Sequence, residues 1–252
     1  MAGIEYVKNS IKYMLPPLLW DILIMIKRKS ALELDPYIQR MESDALESFA
    51  FMPSSFLKKY LYYWNELTEL DSIPGDIVEF GVHQGTTLSY LCHLTEILDH
   101  PNSSRKIIGF DTFNGFPNAK QMRESSYATD KKYSNSFTNT SKNYVLKKFK
   151  NRDKNRVHLI EGDIFQTLPK HLASWPNKIC MAICDVDTDK TTQFILENVW
   201  DRMSPGGRIY FDEYSLDGWS ETVGVAQFLK SRGISLECVK RGSHQPSAYI
   251  QR

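Results

Sequence analysis

The 252-residue chain is poor in cysteine, and its four cysteines, Cys92, Cys180, Cys184 and Cys238, form no C-x-x-C pair. No Cys/His cluster has zinc spacing, and no disulfide framework is evident. Cys180 and Cys184 sit in an apolar, strand-like run, so buried reduced thiols and a cytoplasmic location are expected. Charge of one sign is also missing. Lys and Arg number 31 against 30 Asp and Glu, a formal net charge of +1. That balance gives no global reason to expect nucleic acid as a partner. The Gly-x-Gly-x-x-Gly dinucleotide fingerprint is absent, as are internal repeats and low-complexity segments. Long apolar runs are missing too. Residues 14–26 are strongly apolar, but Pro16, Pro17 and Asp21 interrupt them. The run is too short to span a bilayer, and no small-residue cleavage site follows it, which argues against a signal peptide. Lys12 before it and Lys27, Arg28 and Lys29 after it would suit an interfacial helix. Packing against the same chain or a second subunit is the plainer expectation, so a homodimer is expected and membrane contact is not.

What is present is an α/β pattern. Apolar content of 42% and charged content of 24% are ordinary for a globular protein. Residues 1–70 read as a helical appendage whose last part, 46–70, is rich in aromatics. The main domain is expected over 71–252. Strands are predicted at 77–80, 106–110, 157–160, 179–184 and 208–211, with helical segments between them, notably at 191–203 and 221–231. That alternation implies right-handed crossovers and a parallel sheet covered on both faces. Short strand-like runs at 235–239 and 248–251 read as a closing hairpin. A long polar segment, about 118–156, carries eleven basic residues against Glu124, Asp130 and Asp153. It reads as a lid that meets a phosphorylated or nucleotide-linked substrate, or as a solvated, partly helical surface.

The richest stretch is Gly75-Asp-Ile-Val-Glu-Phe-Gly-Val-His-Gln-Gly85, followed by Thr86 and Thr87. A buried strand, a glycine turn framed by Gly81 and Gly85, and a helix N-terminus make a nucleotide-binding βα unit. Glu79 beside a looser glycine turn suits an adenosyl cofactor without pyrophosphate, S-adenosylmethionine. The alternative is a structural glycine turn of any α/β protein. Four predicted strands end in acids, Asp111, Asp163, Asp185 and Asp212, which therefore converge on the ligand-binding edge of the sheet. Asp111, followed by Thr112, suits the ribose hydroxyls. Asp163 suits the adenine amino group, with Ile164 or Phe165 against the ring. Each acid alone is also a common helix N-cap. Asp185, Asp212 and Glu213 offer hard oxygen ligands for Mg²⁺ or a similar ion such as Mn²⁺. Such an ion would stabilise an alkoxide formed from a poorly nucleophilic hydroxyl. Asp187 is the candidate base, with His83 and Lys190 behind it.

Together these residues resemble the macrocin O-methyltransferase (TylF-like) family of S-adenosylmethionine- and Mg²⁺-dependent sugar O-methyltransferases. The resemblance covers about residues 74–230. It is carried by Val78-Glu-Phe-Gly-Val82, Gly109-Phe-Asp-Thr-Phe-Asn-Gly-Phe-Pro117, Asp185-Val-Asp187 with Thr191-Thr192, and Pro205-Gly-Gly207 followed by Phe211-Asp-Glu-Tyr214. It implies a class I methyltransferase, Rossmann-like sheet, mostly parallel with an antiparallel last strand and helices on both faces. Glu79, Gly81, Gly85, Thr86, Asp111 and Thr112 would hold the methionine and ribose parts of the cofactor. Asp163 and Ile164 would lie near the adenine. Asp185, Asp212 and Glu213 would be the metal ligands, Asp185 also bordering the cofactor, and Asp187 the base. Two positions depart from the family pattern. Asp-Asp-Tyr becomes Asp212-Glu-Tyr214, and Asp-Gly-Asp-x-Tyr becomes Asp185-Val-Asp-Thr-Asp189. Phe113, Phe116, Tyr214 and Trp219 are candidates to flank a sugar or to pack in the core. The expected activity is methylation of a hydroxyl on a small-molecule sugar acceptor, nucleotide-linked, for capsule or another surface glycan. Methylation of an antibiotic sugar or small phenolic, and a non-catalytic binding module, are the alternatives.

Overall fold

The structure, a computed structural model, describes residues 50–100, 103–116, 137–150, 156–214, 221–239 and 246–252. The chain divides into two compact units, residues 1–53 and 54–252. Helix α1 (Ser54–Glu69), expected within the N-terminal appendage, falls in the larger unit and packs on helix α2 (Thr86–Leu98). The apolar run at 14–26 and much of the expected lid (117–136 and 151–155) lie outside the described residues. No described helix is long and apolar enough to cross a membrane.

Among the described residues, seven strands form one sheet: β1 (Asp76–Phe80), β2 (Ile107–Asp111), β3 (Val157–Glu161), β4 (Ile179–Cys184), β5 (Met203–Phe211), β6 (Glu237–Cys238) and β7 (Ala248–Gln251). Their order is β3-β2-β1-β4-β5-β7-β6. The first five are parallel; β7 runs antiparallel to β5 and to β6. The expected antiparallel close is present, although β6 is only two residues long. β1 and β4 are buried along their whole length, as a continuous apolar run demands of central parallel strands. β5 begins at Met203, well before the predicted start, because a register shift lets Pro205, Gly206 and Gly207 bulge opposite Ile179–Met181.

Side chains alternate between two cores. Val78 and Phe80 join Leu168, Ile195, Val199, Val225 and Phe228 on one face. Those partners come from α4 (Ile164–Ser174), α5 (Asp189–Val199) and α6 (Glu221–Arg232). Ile77 joins Tyr63, Leu67, Leu88, Leu91 and Val145 on the other, from α1, α2 and α3 (Lys142–Lys148). Helix α1 is tied down by Glu66, which accepts from Tyr210 Oη and, at 2.7 Å, from Arg208 Nη1. At the amino-terminal edge, Asp76 accepts from Lys106 N (2.7 Å), Trp175 Nε1 (2.9 Å) and Asn177 Nδ2 (2.8 Å). At the opposite edge the register brings strand ends level: Phe80 pairs with Phe110 and Cys184, and Cys184 with Phe211. Strand order reverses between β1 and β4, the point at which open α/β sheets bind ligands.

Candidate active site

Two adjoining cavities open at this carboxyl edge, one of about 620 Å³ and one of about 240 Å³. Gly81, His83 and Asp185 line both. The larger falls within the usual range for small-molecule sites.

The wall between them is set by backbone geometry. Gly81 has φ +92°, and a Cβ there would collide with the carbonyl oxygen of Asp185. Gly81 N–H donates to Phe110 O, and Asp185 N–H donates to Phe80 O, both at 2.9 Å. The parallel ladder thus continues past the strand ends and holds β1 and β4 together where they would otherwise splay. The turn then closes through Gly85 N–H to Val82 O (2.7 Å). Gly85 itself (φ 76°) is the N-cap of α2, and Val145 occupies the space a Cβ would need, at 2.6 Å. Thr86, the first residue of α2, lines the smaller cavity.

Asp111 ends β2 at the larger cavity. Its Oδ2 accepts from His83 N (2.7 Å) and its Oδ1 from Phe113 N (2.6 Å). Two backbone donors fix the carboxylate, which retains acceptor capacity for ligand hydroxyls. Thr112 lines the same wall, its hydroxyl donating to Gly115 O. Asp163 is both a helix cap and a cavity residue. It caps α4, accepting from Phe165 N at 3.0 Å, and also lines the cavity beside Ile164 and Phe165.

The acids of β4 and β5 differ in exposure. Asp185 and Asp187 line the larger cavity. Asp212 and Glu213 line neither; they lie behind, 1% and 7% exposed. Burial pushes the Asp187 carboxyl well up, helped by the Glu213 charge and a hydrogen bond to Glu213. Asp187 also carries a left-handed backbone, φ 58°. Burial raises Asp212 as well, against the opposing pull of Lys59 and of a hydrogen bond from Asp185. Glu79, 1% exposed, is raised well above the carboxylate range by burial, which outweighs the Lys59 charge and the Leu88 N–H. Among the described residues, no group of three or more His, Cys, Asp or Glu side chains is placed to hold a metal ion. The donor chemistry nevertheless suits a hard cation: crowded carboxyls disfavour their ionised forms unless positive charge joins them.

The positive charge at this corner comes from Lys59, which sequence reasoning missed. Its Nζ lies 3.1 Å from Asp212 Oδ1 and 3.4 Å from Oδ2, and it lines the smaller cavity with Glu79. Burial alone would lower its pKa, but Asp212, Asp185 and Glu79 more than offset this and raise it. The sequence signal was spacing: Lys59 falls four residues before Tyr63 and eight before Leu67, on the buried face of α1. A second missed group is Asn139, whose Oδ1 is 2.8 Å from His83 Nε2, while Thr140 Oγ1 donates to His83 O at 2.7 Å. The end of the expected lid therefore docks on the glycine turn. Phe116, Phe137 and Lys190 line the larger cavity. Phe113 and Tyr214 instead pack with the cores, and Trp219 lies outside the described residues.

Comparison with known proteins finds O-methyltransferases. The chain is 26% identical over 169 residues to the 8-demethyl-8-(2,3-dimethoxy-alpha-L-rhamnosyl)-tetracenomycin-C 4′-O-methyltransferase of Streptomyces olivaceus, covering 65% of this chain and 62% of that protein. It is 27% identical over 152 residues to the demethyldecarbamoylnovobiocin O-methyltransferase of Streptomyces niveus, covering 58% and 55%. The matched segment thus spans less than two thirds of either relative's length. Among solved structures, the calicheamicin methyltransferase CalS11 superposes with a TM-score of 0.68 at 26% identity, covering 89% of this chain and 90% of the other. The O-methyltransferase NovP shares the fold, with a TM-score of 0.62 at 24% identity over 77% and 79% of the two chains. The family model for macrocin O-methyltransferase (TylF) matches residues 61–240, from within α1 to just past β6, and the chain belongs to that family.

Proposed function

We propose that the protein transfers a methyl group from S-adenosylmethionine to a hydroxyl of a sugar acceptor. The observation that carries this is the shared border: Gly81, His83 and Asp185 line both cavities, so a donor spanning the two would place its reactive centre at that border, with Asp187 lining the larger cavity. Asp111 and Thr112 would hold the ribose and Asp163 and Ile164 the adenine end. Glu79, Gly81, Gly85 and Thr86 would frame the methionine end. The acceptor would lie toward Asp187, where the hydroxyl oxygen bonds the methyl carbon as the carbon–sulfur bond breaks in line. Asp187 would take the hydroxyl proton, with His83 the nearest alternative. Removing a proton with a carboxylate requires that carboxylate to be ionised, and Glu213 and Asp212 oppose this. Mg²⁺ or Mn²⁺ held by Asp185, Asp212 and Glu213 would supply the compensating charge and lower the acidity barrier of the hydroxyl. The chain's own contribution is alignment, since methyl transfer needs its reactants in line at near-attack distance.

A nucleotide-linked acceptor is favoured by local charge. Lys142, Lys147, Lys148 and Lys150 belong to the basic stretch at about 118–156, and Phe137, within it, lines the larger cavity. CalS11 is described as a TDP-rhamnose 3′-O-methyltransferase. For this chain the proposed use is a surface-glycan sugar, made in the cytoplasm by a homodimer. Cys92, Cys180, Cys184 and Cys238 are in no disulfide and the first three are buried, which suits a reducing compartment. The second reading, methylation of a sugar on a finished antibiotic, is favoured by the activities named for the two Streptomyces relatives.

Mass spectrometry of a panel of nucleotide-linked sugars and glycosylated antibiotics, incubated with S-adenosylmethionine and Mg²⁺, tests this. One methyl gained on a nucleotide sugar, and lost with EDTA, is the expected result. Gain only on a finished glycoside would replace the first reading with the second, and gain undiminished by EDTA would remove the ion. Failure to bind S-adenosylmethionine would overturn the proposal altogether.

A further inference from the structure

Lys59 and the ion proposed above need the same carboxylate. The Lys59 ammonium spans Asp212, 3.1 Å from Oδ1 and 3.4 Å from Oδ2. The two side chains are 17% and 2% exposed, so solvent screens the pair weakly. The neighbouring acids pair off rather than gather: Asp185 bonds Asp212, and Asp187 bonds Glu213. That is why, among the described residues, no three of them are placed to hold an ion. Helix α1 delivers the lysine. Tyr63 and Leu67, four and eight residues on, are buried on the same face, and Glu66 ties the helix to Arg208 and Tyr210 of β5. The ammonium therefore reaches the end of β5 from a helix that is itself anchored along β5.

A buried carboxylate without a counter-charge is costly, and Lys59 supplies that charge from within the chain. A divalent ion on Asp212 would set like charges on one buried carboxylate, where their repulsion is strong. The lysine stem offers the way out. Lys59 lines the smaller cavity, so its flexible side chain has open volume to swing into. We propose that Lys59 is a tethered counter-ion of the acidic corner, which a divalent ion must displace from Asp212 in order to bind. This rests on the ion assigned above to Asp185, Asp212 and Glu213. It adds a positioning residue that sets the affinity for that ion and lies outside the family-matched segment, 61–240. Lys59 neutralises the corner while the ion is away and keeps the ion exchangeable once it arrives.

Mn²⁺ titrated into the full chain, read by electron paramagnetic resonance, tests this without any turnover. Lys59→Met should bind Mn²⁺ about tenfold or more tighter than wild type, the scale of one like charge removed from a buried site. Lys59→Arg keeps the charge and should not tighten binding. The sign is diagnostic, because losing a merely structural lysine would leave the affinity unchanged or reduced. Unchanged or weaker binding by a folded Lys59→Met overturns the inference, and the methyltransferase reading stands if the wild type still binds Mn²⁺ and methylates. Failure of wild type and variants alike to bind Mn²⁺ overturns the inference together with the ion, and the EDTA arm of the methylation assay reads that second failure separately. If Lys59→Met does not fold, the wild-type protein carries the test. Acetylation at Lys59, located by tandem mass spectrometry, should speed up when Mn²⁺ saturates the protein, with the exposed Lys58 as internal standard. A rate unchanged relative to Lys58 overturns the inference.

Discussion

At the scale of single residues, Glu79 joins stability to ligand binding. Burial raises its pKa well above 4.5, so the folded protein keeps a proton there that the unfolded chain has already released. Between those two values the folded state binds more protons, and the unliganded protein loses stability as pH rises through the window. Asp187 and Asp212, raised above 3.8, act in the same direction. Each such group contributes a slope of at most about 1.4 kcal/mol per pH unit. Glu79→Gln should flatten this loss in melts recorded across the acid-to-neutral range; an unchanged slope would show that Glu79 is ionised in the empty site. An incoming ammonium reverses the preference. S-Adenosylhomocysteine binding at a pH below the raised value should therefore release a proton, read as a dependence of the calorimetric heat on the buffer's ionisation enthalpy. Much of this chemistry was legible beforehand. Asp111, Asp163 and Asp185 could be placed because each closes an apolar run that had to be a parallel strand. Lys59 was not, because a lysine on a helix ordinarily marks a solvated face, and only the fold reveals that its turn of α1 points inward.

At the scale of elements, the close approach of the β1 and β4 ends depends on a residue without a side chain. Gly81→Ala places a methyl group against the Asp185 carbonyl and in a left-handed backbone. The two terms, roughly 1–2 kcal/mol for the conformation and about 1–3 kcal/mol for overpacking, predict a loss of about 2–5 kcal/mol in denaturant unfolding. Cofactor affinity should fall with it, because the wall of both cavities moves; a variant with wild-type stability would mean that the β4 end yields freely. The existence of β1 to β5 and their parallel pairing were evident from apolar runs alternating with helical spacing. The early start of β5 was not, since Pro205, Gly206 and Gly207 ordinarily break strands, and only the register against β4 explains their place. The burial of Asp212 and Glu213 was equally hidden. Spacing puts an acid at a strand end but does not say whether the neighbouring loop covers it.

At the scale of the whole molecule, every described residue lining either cavity lies within 54–252, the larger of the two compact units. A chain beginning at Ser54 should therefore melt cooperatively and bind S-adenosylhomocysteine with a Kd within about threefold of the full chain, about 0.65 kcal/mol. Loss of binding in a folded truncated chain would assign residues 1–53 a part in the site. The division places the aromatic-rich helix α1 in the larger unit. An aromatic-rich helix has the composition of an appendage that packs on something, and composition cannot say that Tyr63 and Leu67 pack on the strands that follow them.

The shared wall formed by Gly81 and Asp185 bears on how such a protein can change over evolutionary time. The two cavities meet there at main-chain atoms, which substitution cannot tune without breaking the turn. Gln193, Val223 and Gln227 line the larger cavity from the helices on the far side. Those helix ends are free to drift, duplicate and re-specialise, so that new acceptors can be acquired while the donor half stays as it is.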